Sequence, residues 1–132
     1  MAKMHENQDK ESYGQEIIID LEDVPDEMFN EENVKKFLLA LCDEIKMKHD
    51  TRGPITWGTH SDENEPGPIK SDGISGVLFI ETSSITIHAI DLLNKIFVNC
   101  FSCAPFDSFA VITFTRDFWN GKVVNHKYIT RI

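Results

Sequence analysis

The chain has 132 residues, 41% of them hydrophobic, and a formal charge of -9; that size suits one domain with its own core, short enough for a homo-oligomer to help cover its apolar surface. No apolar run reaches the roughly 18 residues a membrane span needs, and no Lys/Arg stripe is available to replace phosphate counterions. The opening MAKMHENQDKES lacks the apolar region of a secretory signal, so the expectation is a cytoplasmic protein that binds neither membrane nor nucleic acid.

Residues 1–30 hold nine acidic and two basic side chains, whereas the rest of the chain sums to only -2. Acidity therefore belongs to the leading segment, and residues 1–14 read as a disordered, solvated tail ahead of a domain over 15–132. QEIIIDLEDV then reads as a first strand, rich in β-branched Ile17, Ile18 and Ile19. After the PDEMFN turn, Asn30 is placed as an N-cap, and Val34, Phe37, Leu38, Leu41, Cys42 and Ile45 follow the spacing of an amphipathic helix.

Residues 50–73 contain four glycines and three prolines, which predicts a long loop around a short extended piece at Ile55 to Trp57. ISGVLFI and SITIHAI flank ETS as a hairpin, and KIFVNCFSC supplies a further strand. PFDSFAVITFTRDFWNG mixes strand-like residues with a helical stripe at Phe106, Phe109, Ala110, Phe114 and Phe118. Pro105 and Gly121 fit helix start and stop positions, so a helix is predicted. VVNHKYITRI closes the chain as a strand. The order β-α-β-β-β-α-β implies an α+β fold, a two-layer sandwich with a mostly antiparallel sheet and the helices on one face.

Cys42, Cys100 and Cys103 cannot all pair within one chain and are expected as free thiols. Cys100 and Cys103 have Cys-x-x-Cys spacing, but at the end of a strand rather than the start of a helix, which disfavours a redox motif. No second Cys or His pair stands at ligand spacing, so no metal is expected. No phosphate-binding G-x-x-x-x-G-K-[ST] loop and no G-x-S-x-G elbow is present. The hairpin is more informative: its ladder brings Ser75 on the incoming strand towards His88 on the outgoing one. Alternation then sends Ile85 and Ile87 to one face and Thr86 and His88 to the other.

The composite S75-G-V-L-F-I-E-T-S83-S-I-T-I-H88, with Cys103 fifteen residues further on, resembles the short prokaryotic S-adenosylmethionine decarboxylases. Their equivalent stretch runs S-G-V-V-x-x-x-E-S-H-I-S-x-H, with a cysteine at the same distance. Ser75, Ser83, His88 and Cys103 keep identity and spacing, and the likeness extends over nearly all of the chain after about residue 14. It implies a proenzyme that makes its own cofactor. Ser83 would attack the carbonyl of Thr82, and cleavage would leave a β chain of residues 1–82 and an α chain of residues 83–132 that begins with a pyruvoyl group, with neither metal nor pyridoxal phosphate.

By the same resemblance Ser75 would hydrogen-bond the oxyanion and His88 would remove the α-proton during processing. The pyruvoyl group would form a Schiff base with the substrate, and Cys103 would return a proton after carbon dioxide leaves. A homodimer of cleaved protomers, with active sites near the subunit boundary, is also implied, with a role in spermidine and polyamine biosynthesis.

Several positions depart from the family pattern. Thr82 stands where Glu is usual, Ser84 where His is usual, and A89-I-D-L92 where the family has T-W-P-E, whose aromatic and acidic members help to hold the nucleoside. Loss of one polar ribose partner would weaken binding by about 1–3 kcal/mol. Two substrate readings stay open: S-adenosylmethionine, a sulfonium, with Trp57 in the long loop replacing the missing aromatic; or a smaller cationic amino acid such as ornithine or arginine. An uncleaved, inactive homologue with a regulatory binding role is the third reading.

Overall fold

Residues 12–59 and 72–132 are described by a computed structural model. Most of the expected acidic tail and the second half of the 50–73 loop lie outside them. The elements run β1 (Gly14–Glu22), a 3-10 turn (Asp26–Met28), α1 (Glu31–Glu44), β2 (Ile55–Thr59), β3 (Gly73–Ile80), β4 (Ser83–Ile90), a second 3-10 turn (Asp91–Leu93), β5 (Lys95–Ser102), α2 (Ser108–Trp119) and β6 (Lys122–Arg131). The six strands form one sheet in the order β2-β3-β4-β5-β1-β6, and every neighbouring pair is antiparallel.

Strict alternation decides which face is covered. Leu78, Ile80, Ile85, Ile87, Ala89, Ile96, Val98 and Cys100 are buried together with Ile17, Ile19 and Leu21 and the inner face of α1. The alternate residues Phe79, His88 and Phe97 are exposed on the opposite face. Both helices pack on the buried face, giving the expected α+β two-layer sandwich. Gly76 makes close approach possible, because a Cβ there would meet the Val34 side chain at 2.7 Å. Asn30 caps α1 as read from the sequence, its side chain accepting from the Asn33 N–H at 2.8 Å.

Two elements differ from expectation. Ile55–Thr59 is a full edge strand paired with β3 rather than an extended piece within a loop; its ladder partner lies nearly twenty residues away, beyond the reach of local pattern. The second helix starts later than Pro105 suggests, because Asp107 is the cap, accepting from the N–H groups of Phe109 and Ala110 at 2.9 and 3.3 Å. That cap turns Val111, Thr115 and Trp119 into the core, an i, i+4, i+8 series. Phe114 and Phe118 flank it, and Phe109 is left 79% exposed.

Phe37 ties the two helices together. It is fully buried, and its ring lies 5.3 Å from Phe118, 5.6 Å from Trp119 and 6.2 Å from Phe114. Truncating it removes contacts on both helices at once, and Phe37→Ala should cost about 3–5 kcal/mol. Urea unfolding checks this as a lower midpoint at unchanged slope.

Candidate active site

Ile80 pairs directly with Ser83, so only Glu81 and Thr82 connect β3 to β4. So short a connection needs a residue with positive φ, and Thr82 takes it at 52°. A turn with its left-handed residue in the second central position usually places glycine there. The described residues hold five non-glycine residues with positive φ, and the others are Asp, Asn and Lys; Thr82 alone is β-branched. For that side-chain type the conformation is a true outlier, strained by the Cβ branch against the backbone.

The strained turn is met by the end of β5. β4 and β5 are neighbours, with Ser84 opposite Phe101, which delivers Cys103 beside the turn. The Cys103 N–H donates to Ser83 Oγ at 2.9 Å. The Thr82 hydroxyl donates to Cys103 Sγ at 3.2 Å, and the same sulfur lies 3.8 Å from the Glu81 carbonyl oxygen. Ser83 itself is buried, whereas Glu81 and Thr82 are exposed. The Ser83 and Thr82 hydroxyls, as donors to the thiolate, hold the Cys103 thiol below its ordinary range. The other two cysteines behave oppositely. Burial pushes Cys100 up to about 12 and, with a smaller contribution from Asp43, raises Cys42.

Ser75 and His88 form a second cluster. They are opposite each other in the β3–β4 ladder, and Ser75 Oγ lies 2.8 Å from His88 Nδ1. The same row continues to Trp57 on one side and Phe97 on the other. Directly opposed residues share a face, so Trp57, 48% exposed, stands on the open face next to the Ser75–His88 pair. Ser83 and His88 are five residues apart on an extended strand, which separates them by about 16 Å, and they point to opposite faces of the sheet. Within one chain, then, Thr82, Ser83 and Cys103 come together, Ser75, His88 and Trp57 come together, and the two groups do not meet.

Sequence reading missed Asp50 and Arg52, which reach the turn from the start of the long loop. The Asp50 N–H donates to the Phe79 carbonyl at 2.7 Å and His49 bridges to Ile80. D-T-R carries a local signal, since Asp50 accepts from the Arg52 N–H as in an Asx turn, but nothing local says where that turn docks. Position 91 is in other use: its carboxylate accepts from the Leu92 N–H at 2.9 Å, and the preceding Ala89 is fully buried. Among the described residues no group of three or more His, Cys, Asp or Glu is placed to hold a metal ion.

The contrast between the thiols is directly measurable. Donors to a thiolate stabilise the anion, so in the folded, uncleaved chain, where Ser83 keeps its hydroxyl, Cys103 should be alkylated by iodoacetamide with a pH midpoint below that of an ordinary thiol, while Cys42 and Cys100 stay unlabelled. Thr82→Val removes one donor and should move the midpoint up. Equal labelling of all three cysteines would contradict the environment described for them.

Comparison with known proteins gives two findings. The family model described as S-adenosylmethionine decarboxylase matches residues 15–132. The chain is also similar in structure to the adenosylmethionine decarboxylase from Aquifex aeolicus VF5, with a TM-score of 0.70 at 15% identity over 91% of both chains, a likeness of fold. A search of curated proteins by sequence gives no match. With a match that runs from the first strand to the last residue, the chain belongs to the S-adenosylmethionine decarboxylase family.

Proposed function

We propose that this protein is a self-processing, pyruvoyl-dependent decarboxylase of S-adenosylmethionine, serving polyamine synthesis. The observation that carries this reading is the left-handed backbone at Thr82. Strain of this kind stores about 1–3 kcal/mol in the precursor, and it sits on the residue whose carbonyl must be attacked. Ser83 Oγ adds to that carbonyl, the Thr82–Ser83 C–N bond breaks, and an ester replaces the amide. Loss of the Ser83 α-proton then breaks the Cβ–Oγ bond and releases Thr82 as a carboxylate. Water enters and ammonia leaves, so that residue 83 ends as a pyruvoyl group.

A cavity of about 450 Å3 lies against Glu81, Thr82, Ser83 and Ser84, so a carbonyl group at position 83 would be reachable by a substrate amine. That carbonyl supplies an electron sink for breaking the bond to the substrate carboxylate. Cys103, with its sulfur at the turn, is assigned the return of a proton to the carbon that lost carbon dioxide.

Ser75 and His88 are assigned the oxyanion contact and the α-proton, and their distance from Ser83 along β4 supports a reading in which they serve another chain's turn. The open sheet face carries exposed Phe79 and Phe97, and a second copy laid against it would bury them. A two-fold arrangement would place Ser75 and His88 of the partner subunit over the Thr82–Ser83 bond of the first chain, and reciprocally. The neighbouring Trp57 would arrive with them as an aromatic wall for the substrate.

A second substrate reading, a free cationic amino acid such as ornithine or arginine, is favoured by the residues after His88, because buried Ala89 and the self-capping Asp91 offer no obvious hold on a ribose. Carbon dioxide release from S-adenosylmethionine, ornithine and arginine, assayed in parallel, separates the two.

Intact-mass measurement tests processing itself. Two fragments divided between Thr82 and Ser83, the second with a blocked N-terminus, are expected, and Ser83→Ala should remain one chain. A wild-type protein found only at full length would instead support the uncleaved, regulatory reading. His88→Ala should also stay intact when expressed alone. Co-expression with Ser83→Ala chains should restore its cleavage, because each lends what the other lacks; failure of that rescue would exclude a site shared between chains.

A further inference from the structure

The cavity at the β3–β4 turn has an uneven electrostatic lining. Asp50 and Glu81 supply carboxylates, Phe79 and Phe101 supply rings, and Arg52 is the only cation lining it among the described residues. Arg52 is firmly positioned for an exposed side chain. Its Nε donates to Asp50 Oδ1 at 2.7 Å and its Nη2 to Asp50 Oδ2 at 3.2 Å, while its guanidinium lies 5.2 Å from the centre of the Phe79 ring. Asp50 is in turn tied by its own N–H to the Phe79 carbonyl. Its carboxyl is lowered to about 2 by the hydrogen bonds from Arg52, so the clamp stays charged through the neutral range.

Asp50 takes up one edge of the guanidinium, and no hydrogen bond among the described residues uses Nη1. A planar fork held on one edge and stacked on one face is arranged to receive a second carboxylate on its remaining donors. The chemistry proposed for the site delivers such a group. Any substrate whose α-amine bonds to residue 83 carries its carboxylate on the next carbon, inside this cavity. Arg131, the guanidinium stacked 5.4 Å from the Phe101 ring, is bound to Glu16 at 2.6 Å and is not part of the cavity wall.

We propose that Arg52, oriented by Asp50 and Phe79, binds the α-carboxylate of the amino-acid substrate and so selects for the free acid. This rests on the pyruvoyl reading above. As carbon dioxide forms, the carboxylate loses its charge and the contact weakens. The interaction therefore belongs to the ground state and should appear in KM rather than as an acceleration of kcat. It also weakens the hold on the product, which has no carboxylate.

The test uses the processed enzyme with S-adenosylmethionine as substrate and its methyl ester as competitive inhibitor. Arg52→Ala should raise KM for the acid about 10- to 100-fold, the range for loss of a charge-assisted hydrogen bond, and by more than it lowers kcat. The inhibition constant of the ester should barely move, and Arg52→Lys should recover part of the loss. An unchanged KM, or equal weakening of acid and ester, overturns the assignment. So does a variant that impairs chain cleavage but leaves KM alone, because its partner would then be the carboxylate newly formed on Thr82. A wild-type chain that stays full length removes the pyruvoyl reading and this inference with it, whereas a cleaved, active enzyme indifferent to Arg52 removes only the anchor.

Discussion

The two-residue connection between β3 and β4 is the constraint on which the site depends. Leu78 and Ile80 on one strand and Ile85 and Ile87 on the other must all face the helices, and a slip of one residue would turn a whole set towards water. Register is thus fixed by the core, which leaves Glu81 and Thr82 to close the hairpin. Nothing in those two residues relieves the geometry, because neither is glycine. The strain at Thr82 is imposed from below by ordinary hydrophobic packing, and the local sequence merely fails to dissipate it. The same register sets Ser75 opposite His88 and Ser84 between Phe79 and Phe101.

Much of this was legible in the sequence because it follows from short periods. Alternation along SITIHAI predicts which side of the sheet His88 occupies, and the spacing from Val34 to Ile45 predicts the helix that covers the other side. The family likeness pointed to Ser75, Ser83, His88 and Cys103. What stayed hidden depends on contacts distant in the chain. β2 reads locally as a short extended piece and becomes a full edge strand only once β3 lies beside it. The face of α2 that packs inward is set by the Asp107 cap and by Trp119 meeting Phe37, not by the larger number of phenylalanines on an adjacent stripe. Asp50 and Arg52 look like a surface turn until the β3 end holds them next to Thr82.

Two of the transverse rows on the open face differ in character. One carries Trp57, Ser75, His88 and Phe97, and the other Phe79, Ser84 and Phe101, followed across the next strand by Glu16. In the second row each phenylalanine is stacked by an arginine, and each arginine is held by a carboxylate. Small Ser84 therefore sits in a notch between two aromatic walls. A larger side chain at that position would fill the space between the rings, which gives the departure from the family's usual histidine a physical consequence.

The order of strands has an effect on what severing the chain at the hairpin would do. Residues before the turn contribute β1, β2 and β3, and residues after it contribute β4, β5 and β6, but β1 is inserted between β5 and β6. The two pieces are interleaved like clasped fingers. Neither can be withdrawn without tearing the ladders on both flanks of β1 as well as the β3–β4 seam, and the aromatic contact between α1 and α2 spans the same division. A break in the backbone at that point would thus leave a durable two-piece body, in which a new chain end is created at the surface without loosening the frame that aims it.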